Sequence, residues 1–467
     1  MSAPGRSAGF GTPFPSRPGD MTVEFRAPPS AERGRQAAAI VIAFLVIGQL
    51  AFHGANTAGY GAMAAMADLC FAFTVFAFGR IDALFWRRTT LPLLFLAAAA
   101  AWAALPMAPA VRAAFAIPDR VAPDLFDGAM LSLLSHIALF LAAAALGYRR
   151  HAVRRTIAWL VVAGGAYVVA LLILRESGAL AELGFLTTKG QVRFAATIGN
   201  WNAAGAALGM IALLAAGTAG DRLEALWLGR RVIGMGYSVA FSMMVVLCAA
   251  VLCAQTQSRL STGLTIAALL VLLFAALSRN GDHWPRTARV VALVTIGIGF
   301  VAVLGMLAGP AILGRTGLIA DDLDGRMQVL GYYGAASMQA PIWGHGLGGF
   351  VEWNQQHLGP ANVADYWMFG AAHNVVLQLA IEAGWPCVVL LGLGLVIPAA
   401  TIVRVAWRTE IDLPALSALL ALALVAGAAM LDIALNVPAI AALAALLFGL
   451  CWGRALRTAV PPRRSEA

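Results

Sequence analysis

His373 stands in AAHNVVLQLAIEAGWP, ahead of a mostly apolar segment that Gly384 and Pro386 break. A helix N-terminus disfavours the charged form of a histidine beside it, which suits a neutral base with a tunable pKa. The same place also suits a capping or packing histidine. Basic side chains come from three other segments: Arg259 in QTQSRLSTG, Arg193 in TKGQVRFAATIGNWN with Lys189 four residues earlier, and Arg326 in DGRMQVLGYY. Guanidinium groups bind a diphosphate bidentately and stay charged at any relevant pH. If the segments converge, Arg259 with His373 forms a candidate catalytic pair, and Arg193, Arg326, Asn374 and Lys189 a candidate substrate-binding set. Plainer roles stay open for each cation. Arg259 could snorkel to an interface, Lys189 and Arg193 could be solvated loop charges, and Arg326 could pair with Asp321, Asp322 or Asp324.

These residues need a frame, and composition fixes its class. The chain has 467 residues, is 61% hydrophobic and only 12% charged. No soluble fold of this size hides that much apolar surface. Runs of about 20 apolar residues specify helices, since barrel strands would be about 10 residues long with alternating polarity. The expected fold class is all-α: a polytopic membrane bundle of twelve helices, at roughly 36–53, 60–79, 91–110, 128–147, 156–174, 202–220, 233–254, 261–277, 290–309, 386–403, 415–433 and 437–453. With the N-terminus inside, 24 of the 32 basic residues fall in inside segments and 8 outside. That bias sets the orientation and accounts for the net charge of +9 without nucleic acid.

The domain organisation follows. Residues 1–35, rich in Pro, Gly, Ser and Arg, form a disordered cytosolic tail, and Met21 is an alternative start. Residues 36–309 hold nine spans, 310–384 a large loop on the outer face, which the resemblance given below makes periplasmic, 385–453 three more spans, and 454–467 a cytosolic tail. A polar interval as long as 310–384 is functional or disordered, and its Trp, Tyr and Gly content argues for a structured cap. It holds three of the seven histidines, His345, His357 and His373, at no metal-ligand spacing.

Other features point less far. The glycines of GHGLGGF match a dinucleotide fingerprint only as a string, with no strand before or helix after it, and read instead as a tight turn that lets backbone approach a neighbour or ligand. The five cysteines lie inside apolar spans and imply neither disulfide nor metal. Asp68, His136 and Asp432 fall within or at the edge of spans without a matching basic partner. They keep a membrane transporter open as a second class, though no internal repeat supports it. A non-catalytic scaffold is a third.

Four segments in order, TIGNWNAAGAALGM, QSRLSTG, DGRMQVLGYYGAASMQAPIWGHGLGGF and AAHNVVLQLAIEAGW, resemble the O-antigen ligase and polymerase superfamily over roughly residues 190–400. The resemblance implies a helical membrane glycosyltransferase that takes a glycan from a polyprenyl diphosphate carrier at the outer face of the bacterial inner membrane. A ligase passes it to lipid A core sugar, and an O-antigen or exopolysaccharide polymerase to another lipid-linked repeat. The residues themselves show no nucleotide-sugar or flavin site and no metal-ligand spacing, so no cofactor and no metal are expected. By motif, Arg259 matches the arginine opening the eighth span, His373 the histidine of the loop's closing helix, and Arg193 an arginine before the sixth span. Arg326 matches an arginine of the loop motif with no assigned role. The long N-terminal tail departs from simpler members and gives no hint of the acceptor.

Overall fold

The computed structural model describes residues 29–52, 58–79, 81–115, 117, 122–149, 151–179, 193–229, 234–279, 297–298 and 319–459. Among them the long elements are all helices. They are α1 (Pro29–Ala51), α2 (Ala58–Phe78), α3 (Ala83–Ala104), α4 (Pro109–Ala114), α5 (Phe126–Gly147), α6 (Ala152–Glu176), α7 (Trp201–Trp227) and α8 (Met235–Gln255). There follow α9 (Arg259–Arg279), α10 (Ile319–Gln339), α11 (Phe350–Gln356), α12 (Val363–Tyr366), α13 (Val375–Ala406), α14 (Leu413–Ala429) and α15 (Pro438–Thr458). Ten of these are long and apolar enough to cross a membrane, and α14 is a shorter apolar helix. The chain is therefore a polytopic helical membrane bundle. Eleven of the twelve expected spans coincide with helices, and the ninth, 290–309, lies almost wholly outside the described residues. Of the expected tails, 1–35 and 454–467, residues 1–28 and 460–467 lie outside the described residues, whereas α1 already covers 29–35 and α15 continues to Thr458.

Boundaries shift where polar residues extend a helix or end one. The sixth span continues to Trp227, because Asp221, Arg222 and Glu224 prolong it beyond its apolar core. The eleventh ends at Ala429, because the chain turns at Asp432 before α15. The cap, 310–384, is partly helical: α10 supplies six turns of it.

At the centre stands α7, packed by α6, α8, α9 and α14. Its small-residue sequence lets neighbours approach closely, the packing mode of helices in lipid. Beside it α5 and α15 pair so tightly that a Cβ on Gly453 would fall 1.9 Å from the Ala144 carbonyl oxygen. One end of the bundle is tied by charge: Arg154 meets Asp221 at 2.9 Å and Asp412 at 3.1 Å, Arg454 meets Asp412 at 2.6 Å, and Arg279 meets Glu224 at 3.8 Å.

Near the other end, α13 is broken. Gly384 takes φ 79° and ψ 160°, so the turn before it loses its helical partners. Apolar surroundings offer no water to replace them, so other groups must. The His345 amide donates to the Ile381 carbonyl at 2.8 Å, the Gly346 amide to Glu382 at 2.8 Å, and the Trp102 indole N–H to Ala383 at 3.1 Å. The glycine run is thus a cap laid over a helix break, and the neighbour its backbone approaches is α13. Proline at 386 and glycine at 384 mark the break in the sequence.

The break makes a testable contrast. An alanine at 384 would hold a conformation costing about 1–3 kcal/mol outside glycine, and its Cβ would meet the Ile342 oxygen at 1.9 Å. Gly384→Ala is expected to lower the unfolding temperature of the detergent-purified protein sharply. Gly392→Ala, on the same helix with nothing within 4 Å of the added carbon, is expected to leave it unchanged or slightly higher. Equal unfolding temperatures for the two variants would contradict this account.

Candidate active site

A cavity of about 760 Å³ opens at the end of the bundle away from the charge clasp. Four segments far apart in sequence supply its charged and polar walls: the turn before α7, the α8–α9 turn, the start of α10, and the loop from α12 to α13. The α14–α15 turn closes it with Leu431 and Asp432. Arg193, Arg259, Arg326 and His373 all line it. Of the six expected site residues, four therefore converge. Asn374 is committed to the fold: its Oδ1 caps α13 by accepting the Val376 and Leu377 amides at 2.9 and 3.0 Å, and its Nδ2 donates to the Met430 carbonyl at 2.9 Å. Lys189 lies outside the described residues.

Buried polar contacts hold each turn. Before α7, the Thr197 hydroxyl donates to the Leu50 carbonyl at 2.7 Å and accepts from the Tyr167 phenol at 2.8 Å. Asn200 then caps α7. The Arg193 guanidinium lies over the Trp201 ring, 4.7 Å from its centre, in a cation–π contact that fixes its direction. In the α8–α9 turn, Thr256 Oγ1 donates to the Cys253 carbonyl at 2.6 Å and accepts the Ser258 amide at 3.2 Å. Ser258 and Ser261 continue the chain to the Asn202 carbonyl. Arg259 follows on the first residue of α9.

The His373 ring carries its own orientation. Nδ1 lies 3.0 Å from the Ala371 carbonyl oxygen. A carbonyl only accepts, so Nδ1 holds a proton, and in the neutral ring the lone pair is on Nε2. The edge of the Phe369 ring packs against it at 4.7 Å. Phe369 is fixed in turn by Asn354, buried to 1% exposure, which donates to the Tyr366 and Phe369 carbonyls at 3.0 and 3.2 Å and accepts from the Tyr333 phenol. The other two loop histidines belong to the aromatic cap. His357 donates through Nδ1 to the Trp353 carbonyl, and burial with the neighbouring His357 lowers His345 below the ordinary imidazole range.

Backbone strain concentrates here. Four non-glycine residues among those described have positive φ, and three belong to the segments that carry the cavity's arginines and histidine: Ala196 (49°), Gln257 (57°) and His373 (52°). Such conformations cost about 1–3 kcal/mol each and persist where the surroundings over-determine them, typically at functional sites.

Arg326 is paired, with a partner other than those expected. Its Nη1 donates to the Leu431 carbonyl at 2.6 Å and its Nη2 meets Asp432 Oδ2 at 3.4 Å. Asp432, 2% exposed, also accepts from Asn202 Nδ2. The expectation that Asp432 lacks a basic partner is therefore corrected: 106 residues separate the pair, and no local pattern links them. Asp68 accepts from Gln49 at 3.0 Å, and the His136 ring meets the Pro438 carbonyl at 3.1 Å, so all three span-edge groups have local partners. Sequence reasoning also passed over Trp201, Asn202 and Tyr366 as cavity walls. The first two sit inside the quoted GNWNAAG, where an aromatic just after an arginine-bearing loop was the available signal.

Removing Asp432 leaves Arg326 and Asn202 facing an empty corner. Asp432→Ala is expected to cost about 1–3 kcal/mol of stability, toward the low end because Arg326 keeps partial solvent contact. Asp432→Asn should cost less. Thermal unfolding in detergent reads both, and an unchanged midpoint for the alanine variant would deny the pair a structural role.

No curated protein matches the chain. A protein-family model described as O-antigen ligase matches residues 243–392, an interval that holds Arg259, Arg326, the broken helix and His373. With a helical bundle around it and a cationic, histidine-bearing cavity within it, the match supports the resemblance of this part of the chain to the O-antigen ligase and polymerase superfamily.

Proposed function

We propose that the protein is a glycosyltransferase of the O-antigen ligase type, moving a glycan from a polyprenyl diphosphate carrier to a hydroxyl of lipid A core on the periplasmic face of the bacterial inner membrane. The observation that carries this reading is the convergence of Arg193, Arg259, Arg326 and His373 in one cavity at a bundle end. Charge supports this orientation: the opposite end carries Arg149, Arg154, Arg279, Arg454 and Arg457, and basic residues favour the cytosolic side.

In this reading the acceptor oxygen attacks C1 of the first sugar. The bond from C1 to the diphosphate oxygen breaks, and the diphosphate leaves with the electron pair. Arg259 and Arg193 meet the charge that grows on it, in a cleft where water screens less. Nε2 of His373, with Nδ1 held by Ala371, takes the acceptor's proton. Tyr366, whose phenol is pushed up by burial, Asp365 and Tyr332, stays neutral and offers a donor to sugar hydroxyls. Trp201, Tyr366 and Phe369 give the cavity faces on which sugar rings or a prenyl chain can lie.

An O-antigen or exopolysaccharide polymerase would use the same donor half with a different acceptor. A transporter reading draws no support from Asp68, His136 or Asp432, each held by protein rather than strung along a pathway.

Two measurements test the proposal. His373→Ala is expected to insert normally and lose transfer by about 10²–10⁴-fold, the contribution of a positioned base. Arg259→Ala should lose about 10²–10³-fold, and Arg259→Lys should recover only part because the bidentate fork is gone. Wild-type rates in both alanine variants would reject the site. A gel of surface and carrier-linked glycans from a deletion strain then separates the acceptors. Carrier-linked long chains with bare lipid A mean ligase, single repeats in place of long chains mean polymerase, and an unchanged pattern removes the transferase reading.

A further inference from the structure

Beneath the cavity floor lies a buried relay that the proposed chemistry does not use. Glu382, 7% exposed, sits in the last turn of α13 before the break. Its Oε2 accepts the Gly348 amide at 2.9 Å and its Oε1 accepts from Gln378 Nε2 at 3.0 Å. Gln378 Oε1, one helical turn back, accepts the Ala372 amide at 3.3 Å and Nδ2 of Asn436. The two ends of the Gln378 amide are thereby distinguished. A carboxylate takes only a donor, so Nε2 faces Glu382 and Oε1 faces Ala372. Ala372 immediately precedes His373, whose left-handed backbone and Nδ1 bond to Ala371 are set in that same turn. Asn436 belongs to the α14–α15 turn that carries Asp432, so one oxygen of Gln378 stitches the base-bearing turn to the turn that holds Arg326.

We propose that Gln378, oriented by Glu382, is a positioning residue for His373. The inference rests on the transferase reading and adds two residues to it. Neither touches the cavity; they act by fixing the Ala372 amide, and with it the direction of Nε2. A misplaced base costs turnover rather than binding, and a displacement of about 1 Å can cost 10²-fold. Losing Glu382 frees the Gln378 amide to rotate. Exchanging the two residues does not, because a carboxylate at 378 accepts from Ala372, from Asn436 and from an amide at 382, whose oxygen still accepts from Gly348.

The test uses the full-length protein in membranes of a deletion strain, with that strain's carrier-linked glycan as donor, at saturating and limiting concentration. His373→Ala comes first: if it transfers at the wild-type rate, the transferase site itself is wrong. If it is inactive, Gln378→Ala, Gln378→Glu and Glu382→Gln are expected to lower kcat by about 10- to 100-fold with little change in KM. The double exchange Gln378→Glu with Glu382→Gln is expected to restore most of the rate. Wild-type kcat in the single variants overturns the inference. So does a double exchange no better than Gln378→Glu alone, or a fall in folded protein with unchanged kcat per folded molecule.

Discussion

The structure around the cavity depends on one requirement: the carbonyls exposed where α13 breaks at Gly384 must find donors. In lipid an unsatisfied peptide group costs several kcal/mol, so a break is tolerated only where protein completes it. The requirement recruits distant parts. It draws the glycine run of the cap down onto α13 through His345 and Gly346, and it draws Trp102 from α3. Trp102 stacks on Trp343 at 4.2 Å, which anchors the cap to the bundle just before that run. The break also frees the last turn of the short histidine-bearing helix from the line of the span beyond it, so the cap and the cavity wall are set by the same joint.

A second constraint is electrostatic. Three guanidiniums around one cavity repel one another, and the fold offsets this in different ways. Arg326 is neutralised by Asp432, and Arg193 lies on the Trp201 face. Arg259 stands at the N-terminus of α9, where the helix end adds positive potential of its own. Such an arrangement is unfavourable without a ligand and favourable with an anion. Rigid hydroxyl chains through Thr256, Ser258 and Ser261 and three left-handed residues keep the segments from spreading apart. Strain built into the fold itself is the usual signature of a preorganised site.

Eleven of the expected helices, the bundle class and the four convergent residues were legible because each has a local signature. Apolar length gives a span, and a basic residue on the wrong side of the membrane needs a reason. The break was legible too, since Gly384 and Pro386 stand two residues apart. What escaped was non-local or spent on backbone. Asp432 read as a stray acid, because its partner sits 106 residues earlier. Asn374 read as a binding residue beside a histidine, but an asparagine ahead of an apolar run is also the usual N-cap, and the cap claims both its polar atoms. The glycine run showed that backbone would come close to something, and only the folded chain shows that this something is a helix break.

The Arg326–Asp432 pair bears on how a diphosphate would be handled. Asp432 offsets the charge of Arg326, while Arg193 and Arg259 line the same cavity. In the proposed reaction the carrier diphosphate, esterified at both ends, has two charges. When the sugar leaves, the diphosphate gains a third charge, and a cavity in which Arg326 lacked its aspartate would bind that product more tightly than the substrate. Rate requires the opposite economy: the transition state, in which the charge is only forming, should gain most, and the product should leave. An arginine held in reserve by a buried aspartate, near enough to feel the developing charge but already satisfied, meets both demands better than a free one would.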